Sequence, residues 1–293
     1  LLLLLFGNLD PENPRVTATL AVALLMATWW ITEIVPLAVT SLLPVALFPL
    51  LGIMDGRAVS ATYFNDTIFL FMGGFLVALA MERWDLHRRI AYKILCATGV
   101  SPSRILLGFM ASSFFLSMWI SNTATAMMML PIAMAIIKQL DLLMGGKGSG
   151  KFSIAILLGI AYSASVGGIA TLVGTPPNLS FVRIYHIYFP DAPEISFYKW
   201  LVFALPLALV VFLFIWAFLY MLFRPKSGEW REVDRNIFHN FLIEMGKTTR
   251  EQKIVFIVFI LLAFLWIFRA DIDLSSFTFP GWRGLFRESK YIN

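Results

Sequence analysis

Ser121-Asn122-Thr123 sets three hydrogen-bonding side chains in a row inside a segment that is otherwise apolar, and Ser117 precedes it by one helical turn. Three chemistries use such a group. A hydroxyl can act as a nucleophile, but it then needs a general base within hydrogen-bond reach. Residues 105–137 contain no His, Lys, Asp or Glu, which argues strongly against a hydrolase. Neutral oxygens can instead cage a hard cation such as Na⁺, which accepts hydroxyl, amide and backbone carbonyl ligands without a carboxylate. Ser117 and Ser121 are four residues apart, so they share a helix face. With Asn122 and backbone carbonyls near Gly174 they can form one Na⁺ cage. Finally, Ser, Asn and Thr cap helix N-termini. A helix starting near Thr123 or Ala124 would aim its free N–H groups and positive dipole end at an anion.

A second interruption has the same design. Gly174-Thr175-Pro176-Pro177-Asn178 breaks an apolar run, Pro suits the first turn of a helix, and a short helix over about 177–189 is expected to follow. Two broken helices with inward N-termini, beside unwound carbonyls, are the parts with which secondary transporters hold an anion and its coupling cation.

The elements that position these residues must lie in a membrane. The sequence is 59% hydrophobic and 14% charged, with a mean hydropathy of +0.79, whereas a soluble domain carries about 25% charged residues. Composition therefore predicts an all-α, polytopic helical bundle. The net charge of +5 is no sign of nucleic-acid binding, because the charges are sorted by segment. The single thiol, Cys96, gives no intrachain disulfide. The chain starts at Leu1 within an apolar run, Leu1–Phe6, and is expected to be part of a longer polypeptide.

Spans are expected at 16–31, 37–51, 67–81, 152–173, 201–223 and 254–268, with an interfacial stretch at 55–65 and a loop or interfacial tail over 271–293. Of 23 Lys and Arg residues, 15 fall in the stretches 83–104, 138–151 and 224–253, whereas 7–15, 52–66 and 186–200 hold one each. The positive-inside rule makes the first three cytoplasmic loops.

That sorting bears on the polar triplet. Residues 105–137 are 33 consecutive uncharged residues. As one helix they would measure about 50 Å, against a hydrocarbon core of about 30 Å. Arg104 and Lys138 flank the run on the same side, so a single crossing is excluded. Halves at 105–120 and 124–137 would reach only about 21–24 Å. A re-entrant hairpin turning at Ser121-Asn122-Thr123 is the solution left, since non-helical backbone at that depth is tolerated only inside protein or beside water.

Other features carry bland readings. Met127-Met128-Met129 reads as core packing. His87, His186 and His239 lie at segment ends, and Arg183 snorkels. Gly145 to Gly150 lacks the spacing of a phosphate loop and reads as a linker.

The triplet with Ala124 and Pro131, together with Gly167-Gly168-Ile169-Ala170-Thr171-Leu172-Val173-Gly174-Thr175-Pro176-Pro177-Asn178, resembles the divalent anion–sodium symporter family. Trp29-Trp30-Ile31-Thr32-Glu33 with Pro36, and Ser41-Leu42-Leu43-Pro44, are similar to its early helices. The family comprises sodium-coupled dicarboxylate, citrate and sulfate carriers built from two inverted repeats, each with one Ser-Asn-Thr hairpin. The motif occurs once here, so the chain reads as the first repeat and the start of the second. The resemblance implies a Na⁺ site at Ser117, Ser121, Asn122 and Gly174. It implies substrate contacts from Ser121, Asn122, Thr123, Thr175 and Pro176. It implies a homodimer in a bacterial inner membrane, working as an elevator: residues 1–104 as scaffold, the hairpin at 105–137 and helices at 152–223 as transport domain, a cytoplasmic loop at 224–253, and the second repeat from 254. The expected activity is Na⁺-coupled symport of a C4-dicarboxylate such as succinate. Sulfate and citrate are the alternatives within the family, and an anion channel with a re-entrant selectivity loop is the alternative of another class.

Overall fold

In the computed structural model, the residues described are 7, 9–143, 149–225, 236–274 and 277–286. The expected span end at Leu1–Phe6, most of the Gly145–Gly150 linker and the centre of the 224–253 loop lie outside them. The chain falls into two compact units, Leu1–Phe69 and Leu70–Asn293.

The first unit holds one long apolar helix and three short ones. Helix α1 spans Pro14–Thr32, with Pro14 in its first turn, and ends at Glu33 in a left-handed conformation. Two elements follow, α2 (Leu37–Ser41) and α3 (Leu43–Leu50), where one span over 37–51 is expected from the sequence. Pro44 explains the break: it has no N–H, and its ring opposes the carbonyl four residues back. The Tyr63 hydroxyl donates to the Ser41 carbonyl at 2.6 Å, which satisfies one acceptor freed by the break. Helix α4 (Gly56–Tyr63) is capped by Asp55, whose carboxylate accepts from the N–H groups of Arg57 and Ala58. Helix α5 (Asp66–Arg83) starts in this unit and continues into the next.

The second unit is organised around helix α9 (Ser149–Ile169), which packs against α7 (Pro102–Ser117), α8 (Asn122–Leu143) and α11 (Phe197–Phe223). The approach of α9 to α7 depends on small residues at every fourth position: Gly159, Ser163 and Gly167. A Cβ at Gly159 would meet Met110, and one at Gly167 would overlap the Phe114 backbone. The shared core contains Phe109, Met110, Met129, Ile132, Ile136, Ala155 and Ile156, each at most 2% exposed. The outer face is also apolar: on α11, Phe203 is 74% exposed and Met221 75%. Such a surface suits lipid rather than water. Among the described residues, five helical stretches are long and apolar enough to cross a membrane: Pro14–Thr32, Gly56–Arg83, Asn122–Leu142, Gly150–Ile169 and Phe197–Phe223. The chain is a helical, multi-pass membrane protein.

Two of the expected basic loops contain helices. Within 83–104 lies α6 (Leu86–Thr98), and within 224–253 lie α12 (Ile237–Glu244) and the start of α13 (Arg250–Ile267). The charges obscured an amphipathic period: Leu86, Ala91, Tyr92 and Leu95 are buried, whereas Arg88 and Lys93 are exposed. Helix α6 packs on α7, α8, α12 and α13. The tail is not purely loop either. Strands β1 (Ile272–Leu274) and β2 (Phe277–Phe279) pair antiparallel, followed by a 3₁₀ turn at Trp282–Leu285.

Candidate functional site

Helix α7 ends at Ser117 and α8 begins at Asn122, so the turn is Met118 to Ser121, slightly earlier than the expected 121–123. Ser121 is the cap: its backbone carbonyl accepts from Thr125 N at 2.9 Å and its hydroxyl from Ala124 N at 3.3 Å. Helix α8 then runs 22 residues, about 33 Å, because Lys138 and Asp141 are accommodated in its last turns. Its uncharged part ends at Ile137, about 24 Å from its start.

The second interruption is longer than the sequence suggests. Helix α9 stops at Ile169 rather than Val173, and α10 (Pro176–Tyr188) begins after an unwound stretch over 170–175. The carbonyls released there find side-chain donors. Asn178 Nδ2 donates to Gly168 O at 2.9 Å and to Thr171 O at 2.7 Å. Trp200 Nε1 donates to Ile169 O at 3.0 Å. Thr171 Oγ1 donates to Met118 O in the other turn and accepts from Gly174 N at 3.1 Å. The two breaks are therefore bonded to each other, and Asn178 and Thr171 are both buried.

At the centre, Ser117 Oγ lies 2.7 Å from Asn122 Oδ1 and 2.6 Å from Ala164 O. A hydroxyl has one proton to donate. It serves Asn122 Oδ1 or Ala164 O, so three neutral oxygens converge on one proton. Hydroxyl, amide and backbone carbonyl oxygens are ligands that a hard cation accepts, so this donor set fits Na⁺. Glycines make the approach possible. A Cβ at Gly168 would overlap the Asn122 amide, and one at Gly174 would lie 2.6 Å from Gly168 O and 3.0 Å from Ser117 O.

The structure thus brings Ser117, Asn122 and Gly174 together. Ser121 is adjacent and engaged in capping. Thr123 is exposed in the first turn of α8, Thr175 is half-buried, and Pro176 is exposed at the start of α10. Gly168, Thr171, Asn178 and Ala164 were not expected as functional positions. The buried asparagine after Pro-Pro was the signal for one of them, because an amide within apolar sequence requires partners.

Four helix ends meet here. The C-termini of α7 and α9 carry partial negative charge, suited to a cation, and the N-termini of α8 and α10 carry partial positive charge, suited to an anion. The two N-termini are unequal. Pro176 and Pro177 have no N–H, so α10 offers its dipole and the Thr175 hydroxyl, which makes no cap bond. Helix α8 keeps the N–H groups of Asn122 and Thr123, which have no intrahelical acceptor.

Comparison with known proteins points the same way. The model of the citrate transporter family matches residues 27–274. A sodium-dependent dicarboxylate transporter of Staphylococcus saprophyticus is 42% identical over 285 residues, covering 95% of this chain and 54% of its own length. The sodium-dependent dicarboxylate transporter of Staphylococcus aureus is 42% identical over 274 residues, covering 92% of this chain and 52% of its own. The chain spans about half the length of the curated relatives it matches.

Proposed function

Because this chain belongs to the citrate transporter family, we propose that the complete protein carries a small dianion across the membrane, coupled to Na⁺, and that the dianion is a C4-dicarboxylate such as succinate. The two staphylococcal relatives, both sodium-dependent dicarboxylate transporters by name, support both the ion and the cargo. The observation that carries the reading is the convergence of Ser117 Oγ, Asn122 Oδ1 and Ala164 O, set between two helix C-termini and two helix N-termini.

In this reading Ser117, Ser121, Asn122 and the backbone at Gly174 hold Na⁺. The anion lies against the N–H groups of Asn122 and Thr123, with Ser121, Thr175 and Pro176 lining its other side. Bound Na⁺ offsets the negative ends of α7 and α9, so that the dianion meets a net positive field. Helices α7 and α8 enter from one side as a re-entrant hairpin: α7 has 16 residues, about 24 Å, too few for a crossing, and α8, long enough to cross as a whole, is uncharged only as far as Ile137. The basic segments are cytoplasmic and the membrane is the bacterial cell membrane. The resemblance supports a homodimer with residues 1–104 as scaffold and an elevator movement of the site. It also puts a second Ser-Asn-Thr hairpin, with its own Na⁺ site, in sequence outside this chain.

Citrate is the second reading for the cargo, favoured by the description of the matching family. The test is Na⁺-dependent uptake of labelled succinate into proteoliposomes containing the full-length protein, with citrate and sulfate as competitors. Asn122→Ala is expected to abolish uptake while the protein remains folded. Undiminished uptake would remove Asn122 from the site, and competition by citrate well below the succinate concentration would reassign the cargo.

A further inference from the structure

Away from the two breaks, a cleft of about 440 Å³ lies between α6, α7 and α13. Its walls are Leu86, Ile90 and Ile94 of α6, Phe115 of α7 and Phe256 of α13, and its cations are Arg89, Lys93 and Lys253. Among the described residues, none that lines it is acidic. Arg89 is already committed: it is buried and donates to Gln252, Met245 and Gly246. Lys93 and Lys253 are exposed. Among the described residues the ion pairs join Arg88 to Asp85 and both Arg269 and Arg283 to Glu194, leaving these two lysines unpaired.

We propose that this cleft binds an anionic glycerophospholipid, with the phosphate between Lys93 and Lys253 and the first part of an acyl chain against Ile90, Ile94, Phe115 and Phe256. Depth supports that occupant. Helix α13 carries Arg250, Glu251 and Lys253 in its first turn and no charge from Ile254 to Ile267. Its exposed apolar stripe begins at once, with Ile254 50% exposed and Ile257 64% exposed. Lys253 therefore marks the level at which this helix passes from headgroups into hydrocarbon. Basic pockets between membrane helices at that level suit anionic headgroups. A soluble anion would use the lysines and leave the apolar wall wet. A neutral lipid would use the wall and leave the lysines without a partner. The proposal needs a membrane-embedded chain and does not depend on the transported ion.

The test is thermal unfolding of the full-length protein, purified in neutral detergent and titrated with dioleoylphosphatidylglycerol, dioleoylphosphatidylcholine or inorganic phosphate. Phosphatidylglycerol is expected to raise the melting temperature saturably, and the other two are not. Two lysines at an anionic headgroup are worth about fivefold each, so in the Lys93→Gln/Lys253→Gln double variant the half-saturating lipid concentration should rise about 25-fold. The lipid-free melting temperature of that variant should not change, and Lys199→Gln, in the first turn of α11 and outside the cleft, should titrate as the parent does. Equal stabilisation by phosphatidylcholine, full stabilisation by phosphate alone, or an unshifted titration in the double variant would each overturn the assignment.

Discussion

Asn122 and Asn178, in the first turns of two helices that each follow a chain break, both reach Gly168: the Asn122 amide packs where a Cβ would stand, and Asn178 Nδ2 donates to the Gly168 carbonyl at 2.9 Å. One residue without a side chain thereby couples the two broken helices. Any rearrangement that moves α10 pulls on the last turn of α9, and through it on the amide set against Ser117. The site is built as one bonded unit rather than two adjacent loops.

Gly168→Ala tests that coupling. The new methyl would overlap the Asn122 amide, which is too short and too confined to swing aside without losing its contact to Ser117 Oγ at 2.7 Å. Overpacking of this kind costs about 1–3 kcal/mol. Na⁺-dependent uptake is expected to fall at least tenfold in the variant, measured at matched protein in proteoliposomes. Gly73→Ala is the control, because a Cβ there meets nothing within 4 Å; its uptake should match the parent. Normal uptake by Gly168→Ala would show that the Asn122 position does not matter.

Ser117→Ala separates the cation from the anion. Ser117 is fully buried and contributes the oxygen shared between Asn122 and Ala164. Removing it leaves the helix N-termini intact. Loss of one such contact is worth about 1–2 kcal/mol, or roughly tenfold in affinity. The Na⁺ concentration for half-maximal uptake should rise about tenfold, while the succinate concentration for half-maximal uptake at saturating Na⁺ changes little. A change in succinate dependence alone would place Ser117 on the anion instead.

Much of this arrangement was legible before the structure, and the reasons differ by element. The 105–137 break could be read because helix length and charge placement conflict with a single crossing, a purely geometric constraint. The break at 174–178 was readable from Pro-Pro, but its true start at Ala170 was not. Apart from Thr171, residues Ala170 to Val173 are apolar and unremarkable by composition, and they unwind where Asn178, Thr171 and Trp200 supply bonds across the fold. Helix α6 was missed for the opposite reason. Its exposed charges suggested a loop, while its buried face, which includes His87 and Arg89, is too polar to read as a core stripe. The partners that make those two residues tolerable inside lie far along the chain: Gln252 is 163 positions from Arg89.

Arg89 supplies the last prediction. Its Nε donates to Gln252 Oε1 at 2.9 Å, and its Nη2 donates to the carbonyls of Met245 at 3.2 Å and Gly246 at 3.0 Å. Gln252 in turn donates to the Trp84 carbonyl at 2.8 Å and closes the capping box with Thr249. One guanidinium thus fastens α6 to the turn between α12 and α13, where Gly246 adopts φ +68°. Arg89→Met would keep the length of the side chain and strand three acceptors, at a cost of about 2–4 kcal/mol. At about 1–2 °C per kcal/mol for a protein of this length or longer, the melting temperature of the detergent-purified protein should drop by roughly 2–8 °C. Arg89→Lys should recover only part of the loss, because an ammonium is a point charge and cannot reproduce the planar fork. A melting temperature equal to the parent's in Arg89→Met would mean that α6 is held by its apolar contacts alone.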